Sequence, residues 1–271
     1  MRLLLSCLLF ISIILVKAQN EPIYNAWAIL YQPNTGLIKN AFTEWRLNNA
    51  QQKQEYQMAD ARYTTHNLGL NIETLSQKYW LQGKTSWTVA GSTLGDTSDS
   101  KIKTNDYGSL KFAYGFSLGD RFGLQFGAFC HALNYEVSLD RYTGYYFGTD
   151  NAAYIQHLDR IQILNYGLLV NSVYRVGEKS TVRISYGFGK YNNKGRNTKG
   201  KYREFELKYY YVINSSNNTG LFVGFQNNQL LTEGINEGKT FYPSSSDERF
   251  PATVFSRNTL NLGINLPIKF D

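Results

Sequence analysis

Residues 110–132 read LKFAYGFSLGDRFGLQFGAFCHA, and they resolve into two strands around a tight turn. Leu110, Phe112, Tyr114, Phe116 and Leu118 fall on one face, with Lys111, Ala113, Gly115 and Ser117 on the other. After Gly119-Asp120 the pattern resumes: Phe122, Leu124, Phe126, Ala128, Cys130 and Ala132 oppose Gly123, Gln125, Gly127, Phe129 and His131. Period-two alternation is the mark of a strand with two different environments on its two faces. The turn Leu118-Gly119-Asp120-Arg121 has the Gly and Asp that accept the positive φ of a short hairpin. Sandwich strands usually run to about five or six residues, whereas a tilted strand needs about 9–11 to cross the hydrocarbon of a bilayer. The length here favours the membrane, with the greasy face on lipid and the polar face inside a closed cylinder.

The same pattern recurs downstream at 160–176, 180–192, 202–213, 219–229 and 258–270, and upstream at 60–73 and 79–91. A first candidate at 37–46 alternates poorly. With 105–117 and 121–136 the count is ten, bracketed by eight if the weak early strands fail and twelve if 230–257 hides a hairpin. Connections at 75–78, 118–121, 177–180 and 214–218 are short, while 48–59, 92–104, 138–159, 193–201 and 230–257 are long and polar. Short turns alternating with long loops are what transmembrane barrels show between their periplasmic and external ends. The predicted fold class is therefore all-β, a transmembrane antiparallel up-and-down β-barrel of about ten strands.

Residues 1–18 are set apart. Arg2 is followed by the apolar run Leu3–Val16, then Lys17-Ala18. A run of 14 residues, apolar but for Ser6 and Ser12, is too short for a membrane-crossing helix, which needs about 20, and Val16 and Ala18 stand at small-residue cleavage positions, so a secretory signal peptide is expected. Residues 19–36 read as a periplasmic lead-in and 37–271 as the barrel. Without residues 1–18 the net charge falls from +7 to +5. The basic residues are scattered, with none of the clustering that nucleic-acid binding requires. Cys130 is then the lone cysteine, which leaves no intramolecular disulfide. The chain is rich in Tyr (21) and Phe (16) and its mean hydropathy is −0.38. Alternating strands hide their membrane character from such an average.

The layout resembles the outer-membrane β-barrel proteins of Bacteroidota-type bacteria: a leader ending Lys17-Ala18-Gln19, Tyr/Asn/Gly-rich strands, and a close on Leu266-Pro267-Ile268-Lys269-Phe270-Asp271. The aromatic Phe270 is similar to the terminal aromatic of outer-membrane insertion signals, although one Asp follows it. Glu21-Pro22-Ile23-Tyr24 followed by Gln32-Pro33-Asn34-Thr35-Gly36 resembles the start of PorP/SprF-type proteins of type IX secretion and gliding. Glu and Gln replace that pattern's Asp and Asn, and the second block is one residue short. The resemblance implies location in the outer membrane of a Gram-negative bacterium, contact with outer-membrane lipid, and an envelope or secretion-system protein as partner.

The polar faces hold the candidate lumen network: Lys111, Gln125, His131, Arg183, Glu204, Glu206 and Lys208, with Lys84 and Asn171 on the same side. Glu204 and Glu206 could in principle do acid–base work, but an ion-pair ladder filling a narrow bore is the simpler account. His131 lacks an obvious nucleophile: Cys130 points to the opposite face, and Ser172 and Ser185 approach it only as residues of neighbouring strands. No phosphate-cradling loop, metal-ligand spacing or nucleophile motif occurs, and Asp96, Asp99 and Asp106 have no fixed cation-binding spacing. No enzyme and no cofactor is expected. The segment 139–159 carries Tyr142, Tyr145, Tyr146, Phe147 and Tyr154 among polar groups. These are either an external recognition loop for a glycan or protein or part of an interfacial aromatic girdle. Two functions stay open: a structural, adhesion or assembly barrel, and a small pore. A barrel-embedded hydrolase ranks below both.

Overall fold

The computed structural model describes residues 23–48, 53–94, 100–139, 153–157, 160–193, 198–214, 219–232 and 254–268. Its strands are β1 (Tyr24–Asn48), β2 (Lys53–Leu75), β3 (Tyr79–Leu94), β4 (Ser100–Leu118), β5 (Phe122–Leu139), β6 (Ala153–His157), β7 (Arg160–Arg175), β8 (Ser180–Asn193), β9 (Thr198–Asn214), β10 (Thr219–Thr232) and β11 (Val254–Pro267). Ten of them pair antiparallel with their neighbours in chain order, and β1 pairs with β11 to close the wall. The eleventh, β6, adds only to the outer part of β1, from Phe42↔His157 to Arg46↔Ala153. Closure removes every unpaired edge from the hydrocarbon zone, where a free backbone polar group has no water to bond.

The outward positions are apolar around the whole wall. Ile29 (57 % exposed), Ile72 (57 %), Phe126 (52 %), Leu168 (59 %) and Ile264 (51 %) belong to one continuous belt. An apolar exterior on a closed antiparallel cylinder makes this an integral barrel of the outer membrane. Among the described residues no helix is long and apolar enough to cross a membrane; the strands do the crossing.

Two expectations need correction. The first strand begins at Tyr24, so residues 24–36, assigned to a lead-in, are wall: Trp27 pairs with Leu266 and with Ile72. The alternation is hidden there because the inward side chains are Ala26, Ala28 and Leu30, apolar like the outward ones. Pro33, which reads as a strand breaker, sits where the β1–β11 ladder lapses between Tyr31 and Asn34, and a residue without an N–H is tolerated at such a gap. Second, much of the supposed loops 48–59, 92–104 and 193–201 is strand: β1 and β2 pair as far as Asn48↔Lys53. Pairing is a property of the backbone, so it continues where the hydrophobic pattern that marks a strand in sequence does not. Residues 1–22, Tyr142, Tyr145, Tyr146 and Phe147, Asp96, Asp99 and Phe270 lie outside the described residues. Tyr154 lies on β6, opposite Trp45 of β1.

The short turns among the described residues are as expected. Gly119 takes φ 65° between β4 and β5, a conformation glycine adopts without steric penalty. Ser76 Oγ accepts from the backbone N–H of Lys78 (3.1 Å) and Tyr79 (2.9 Å), folding the β2–β3 turn on itself. That turn is pinned to its neighbours: Gly115 N–H donates to Lys78 O at 2.8 Å, and Gln125 Nε2 donates to Ser76 O at 2.7 Å.

Candidate functional site: a charged plug in the lumen

Strand parity decides what faces inward. Successive side chains alternate, so once Leu207 and Tyr209 face lipid, Glu204, Glu206 and Lys208 must face the bore, where all three are buried. Lys111, Gln125, His131 and Arg183 follow by the same rule and are also buried. The structure brings six of the seven sequence candidates into one network and recruits residues that were not picked out: Glu73, Trp80, Tyr202 and Arg257.

The periplasmic half is built on Trp80. Its indole N–H donates to Glu73 Oε1 at 2.9 Å, and the Arg183 guanidinium lies 4.0 Å from the ring centroid, a cation–π arrangement that strengthens when dry. Arg183 Nε is 3.4 Å from Glu73 Oε1, and Nη2 donates to Glu206 Oε1 at 2.6 Å. Lys208 pairs with the other oxygen of Glu73 and stands 3.9 Å from the Phe222 ring centroid. Tyr24 and Tyr210 pack with centroids 4.4 Å apart beneath. At mid-height Lys111 bonds both Glu204 and, at 3.0 Å, Glu206. Lys84 Nζ donates to Gln226 (2.9 Å) and Asn261 (3.2 Å).

The outer half centres on Asp106. Its Oδ1 accepts from Arg257 Nη2 at 2.8 Å and lies 3.3 Å from His131 Nε2; Oδ2 accepts from Ser86 at 3.1 Å. His131 Nδ1 meets the Tyr202 hydroxyl at 3.1 Å, and that hydroxyl donates to Glu204 at 2.8 Å, joining the two halves. Asp106, weighed in the sequence as part of an acidic loop, is therefore a lumen residue. Both ring nitrogens of His131 are engaged, so neither is left for a serine, and Ser172 faces outward with its hydroxyl on Ile184 O. Gln125 stands apart from the ion pairs, tying Asn171 to the β2–β3 turn. Among the described residues no group of His, Cys, Asp or Glu is placed to hold a metal.

Four buried carboxylates, Glu73, Asp106, Glu204 and Glu206, thus face Lys111, Arg183, Lys208 and Arg257 across the bore. Buried charges survive when paired and hydrogen-bonded, and each of these carboxylates has a cationic partner. The inward parity of Glu73 follows from its outward neighbour Ile72, and that of Trp80 from its pairing with the buried Ala113; what hid them is type and place. Trp looks like a lipid-facing residue, and Glu73 stands next to a turn.

No family model matches the chain, and no curated protein matches it. Solved structures do. The chain is similar to the outer-membrane protease OmpT from Escherichia coli (TM-score 0.44, 10 % identity, covering 93 % of this chain and 99 % of that one). It is also similar to an outer-membrane channel from Pseudomonas putida F1 (TM-score 0.40, 12 % identity, 92 % and 98 % covered). A third is a Pseudomonas aeruginosa FadL homologue (TM-score 0.35, 8 % identity, 90 % and 91 % covered).

Proposed function

We propose that this protein is a sealed, non-enzymatic barrel that serves the envelope as a structural, adhesion or assembly component. One observation carries the reading: the bore is occupied at mid-height by the Lys111–Glu204–Glu206–Arg183–Glu73–Lys208 network, every member of which is buried. An ion crossing this layer would have to separate oppositely charged groups that have no water to replace their partners. With the bore closed, the exposed resources are the wall and the outer extensions. Strands β1 and β2, of 25 and 23 residues, exceed the about 9–11 residues that the bilayer needs. Together with β6 they form a three-stranded platform beyond the belt, suited to an envelope or secretion-system protein. The resemblance to Bacteroidota-type barrels of Gram-negative outer membranes, and the partial likeness to PorP/SprF-type proteins, agree with an assembly role.

The test is single-channel recording of the full chain in planar bilayers. The sealed barrel passes no resolved current steps across ordinary voltages. Stable ohmic steps would overturn the reading in favour of a small pore.

A further inference from the structure

We propose that the barrel wall parts laterally between β3 and β4, above Asp106, and that an anionic amphiphile of the outer leaflet seats its headgroup there against Arg257. This goes beyond the sealed-barrel reading and does not depend on it, because a ligand arriving from the side needs no open bore.

Between β3 and β4 the backbone ladder lapses, as the β1–β11 ladder does at Pro33, while the two strands stay in contact: a Cβ at Gly91 would lie 2.2 Å from the Ile102 carbonyl oxygen. Strands β3 and β4 pair from Tyr79↔Tyr114 to Ser86↔Asp106, and among the described residues no pairing joins Trp87–Leu94 to Ser100–Asn105. Their other sides stay paired: β3 with β2 to Arg62↔Leu94, and β4 with β5 to Ser100↔Leu139. Side chains take over the backbone groups. Thr88 N–H donates to Asn105 Oδ1 (2.8 Å), Thr104 N–H donates to Thr88 Oγ1 (2.8 Å), and Asn67 Nδ2 donates to Thr104 O (2.6 Å). Three register shifts converge here, at His66/Asn67, Lys84/Ser86 and Asp106/Gly108. Bulges concentrate where a wall must bend, re-aim a side chain or end its pairing. Backbone groups near lipid have to be satisfied, and threonine and asparagine side chains do so through bonds that break singly rather than as a cooperative ladder.

Its height suits a headgroup. Exposed Trp87 and Tyr107 flank the foot of the seam, the aromatic types that settle at a membrane–water interface. Farther out, Lys103 and Glu136 make a solvent-exposed pair at 3.8 Å.

Behind the foot stands a site that lacks a partner. Arg257 is buried, and its Nε and Nη1 find no hydrogen-bond acceptor in the protein, Nη2 being taken by Asp106. Unpaired buried donors of a guanidinium are costly, and phosphate or carboxylate oxygens are their natural complement. Asp106 is at once the last paired residue of the seam, the acceptor from Ser86 of β3 and the counter-ion of Arg257. A headgroup that draws Arg257 away from Asp106 loosens the foot of the seam, which couples binding to opening.

Hydrogen–deuterium exchange of the full chain in phosphatidylcholine liposomes tests this, with dodecyl phosphate as the probe. Without probe, amides of 87–92 and 102–105 should exchange at least tenfold faster than those of 80–86; equal protection overturns the proposal. Dodecyl phosphate should slow the seam amides severalfold and dodecyltrimethylammonium should not; no slowing, or slowing by both, overturns it. Laurate acting as well identifies a general anion site and laurate failing a phosphate site, either one supporting it. Arg257→Gln should abolish the response, and a response that persists in that variant overturns the headgroup site. Because that variant also unpairs Asp106, a second lock leaves the site intact: Thr88→Cys with Asn105→Cys, on a Cys130→Ser background. Oxidation should reduce the response at least tenfold and reduction restore it; a response indifferent to the disulfide refutes the gate.

Discussion

Replacing Lys111 by Met removes one charge from the middle of the bore while keeping the length of the side chain. Lys111 is buried and bonds both Glu204 and Glu206. In the variant Glu206 keeps Arg183 at 2.6 Å, whereas Glu204 keeps only the Tyr202 hydroxyl at 2.8 Å and His131 at 4.0 Å. Glu204 is the stranded charge, and breaking a buried pair on one side costs about 3–5 kcal/mol. That is about two to three and a half powers of ten in the folding equilibrium. Glu204→Gln should be milder, about 1–3 kcal/mol, because Lys111 retains Glu206. The double variant has no stranded carboxylate, so it should be more stable than Lys111→Met by about 2 kcal/mol, where simple addition would make it less stable by the about 1–3 kcal/mol of Glu204→Gln. Urea-induced unfolding from neutral liposomes, followed by tryptophan fluorescence and by gel mobility, measures all three. Costs that simply add, to within about 0.5 kcal/mol, would show that the two residues do not act as a pair and would remove the network on which the plug depends.

Three further outcomes follow from the wall and the plug. Trp80→Ala combined with Arg183→Ala removes the ring and the guanidinium stacked on it, and planar-bilayer recordings should then show discrete current steps absent from the parent. Leu168→Arg places a charge on an outward position 59 % exposed to lipid, which should destabilise the barrel by about 2–4 kcal/mol in the same urea titration. A Cβ at Gly127 would lie 1.8 Å from the Phe112 carbonyl oxygen, whereas one at Gly108 would meet nothing within 4 Å. Gly127→Ala should therefore lose the heat-modifiable gel shift of a folded barrel, and Gly108→Ala should keep it.

Much of the site was legible because parity carries it. Once Leu110, Phe112 and Tyr114 are assigned to lipid, Lys111 has nowhere to point but inward, and the same holds for Arg183 beside Ile184 and for Glu206 beside Leu207. Parity fails where the two faces look alike, as at Ala26, Ala28 and Leu30, or where a residue sits in a stretch read as loop. Arg257 was missed for the latter reason: it lies inside 230–257, yet it is wall, paired with Gly36 and Asn228.

The amino-acid order by itself determined the class of fold and the facing of most side chains, because alternation is a local property: each residue's direction follows from its neighbours. Which inward groups meet was decided only by closure of the cylinder. Glu73 and Lys208 are 135 positions apart, and Asp106 and Arg257 are 151 apart. No local pattern links residues at such separations. They are brought together when β1 pairs with β11, and the registers of the ten wall strands then set the height at which each charge finds its partner.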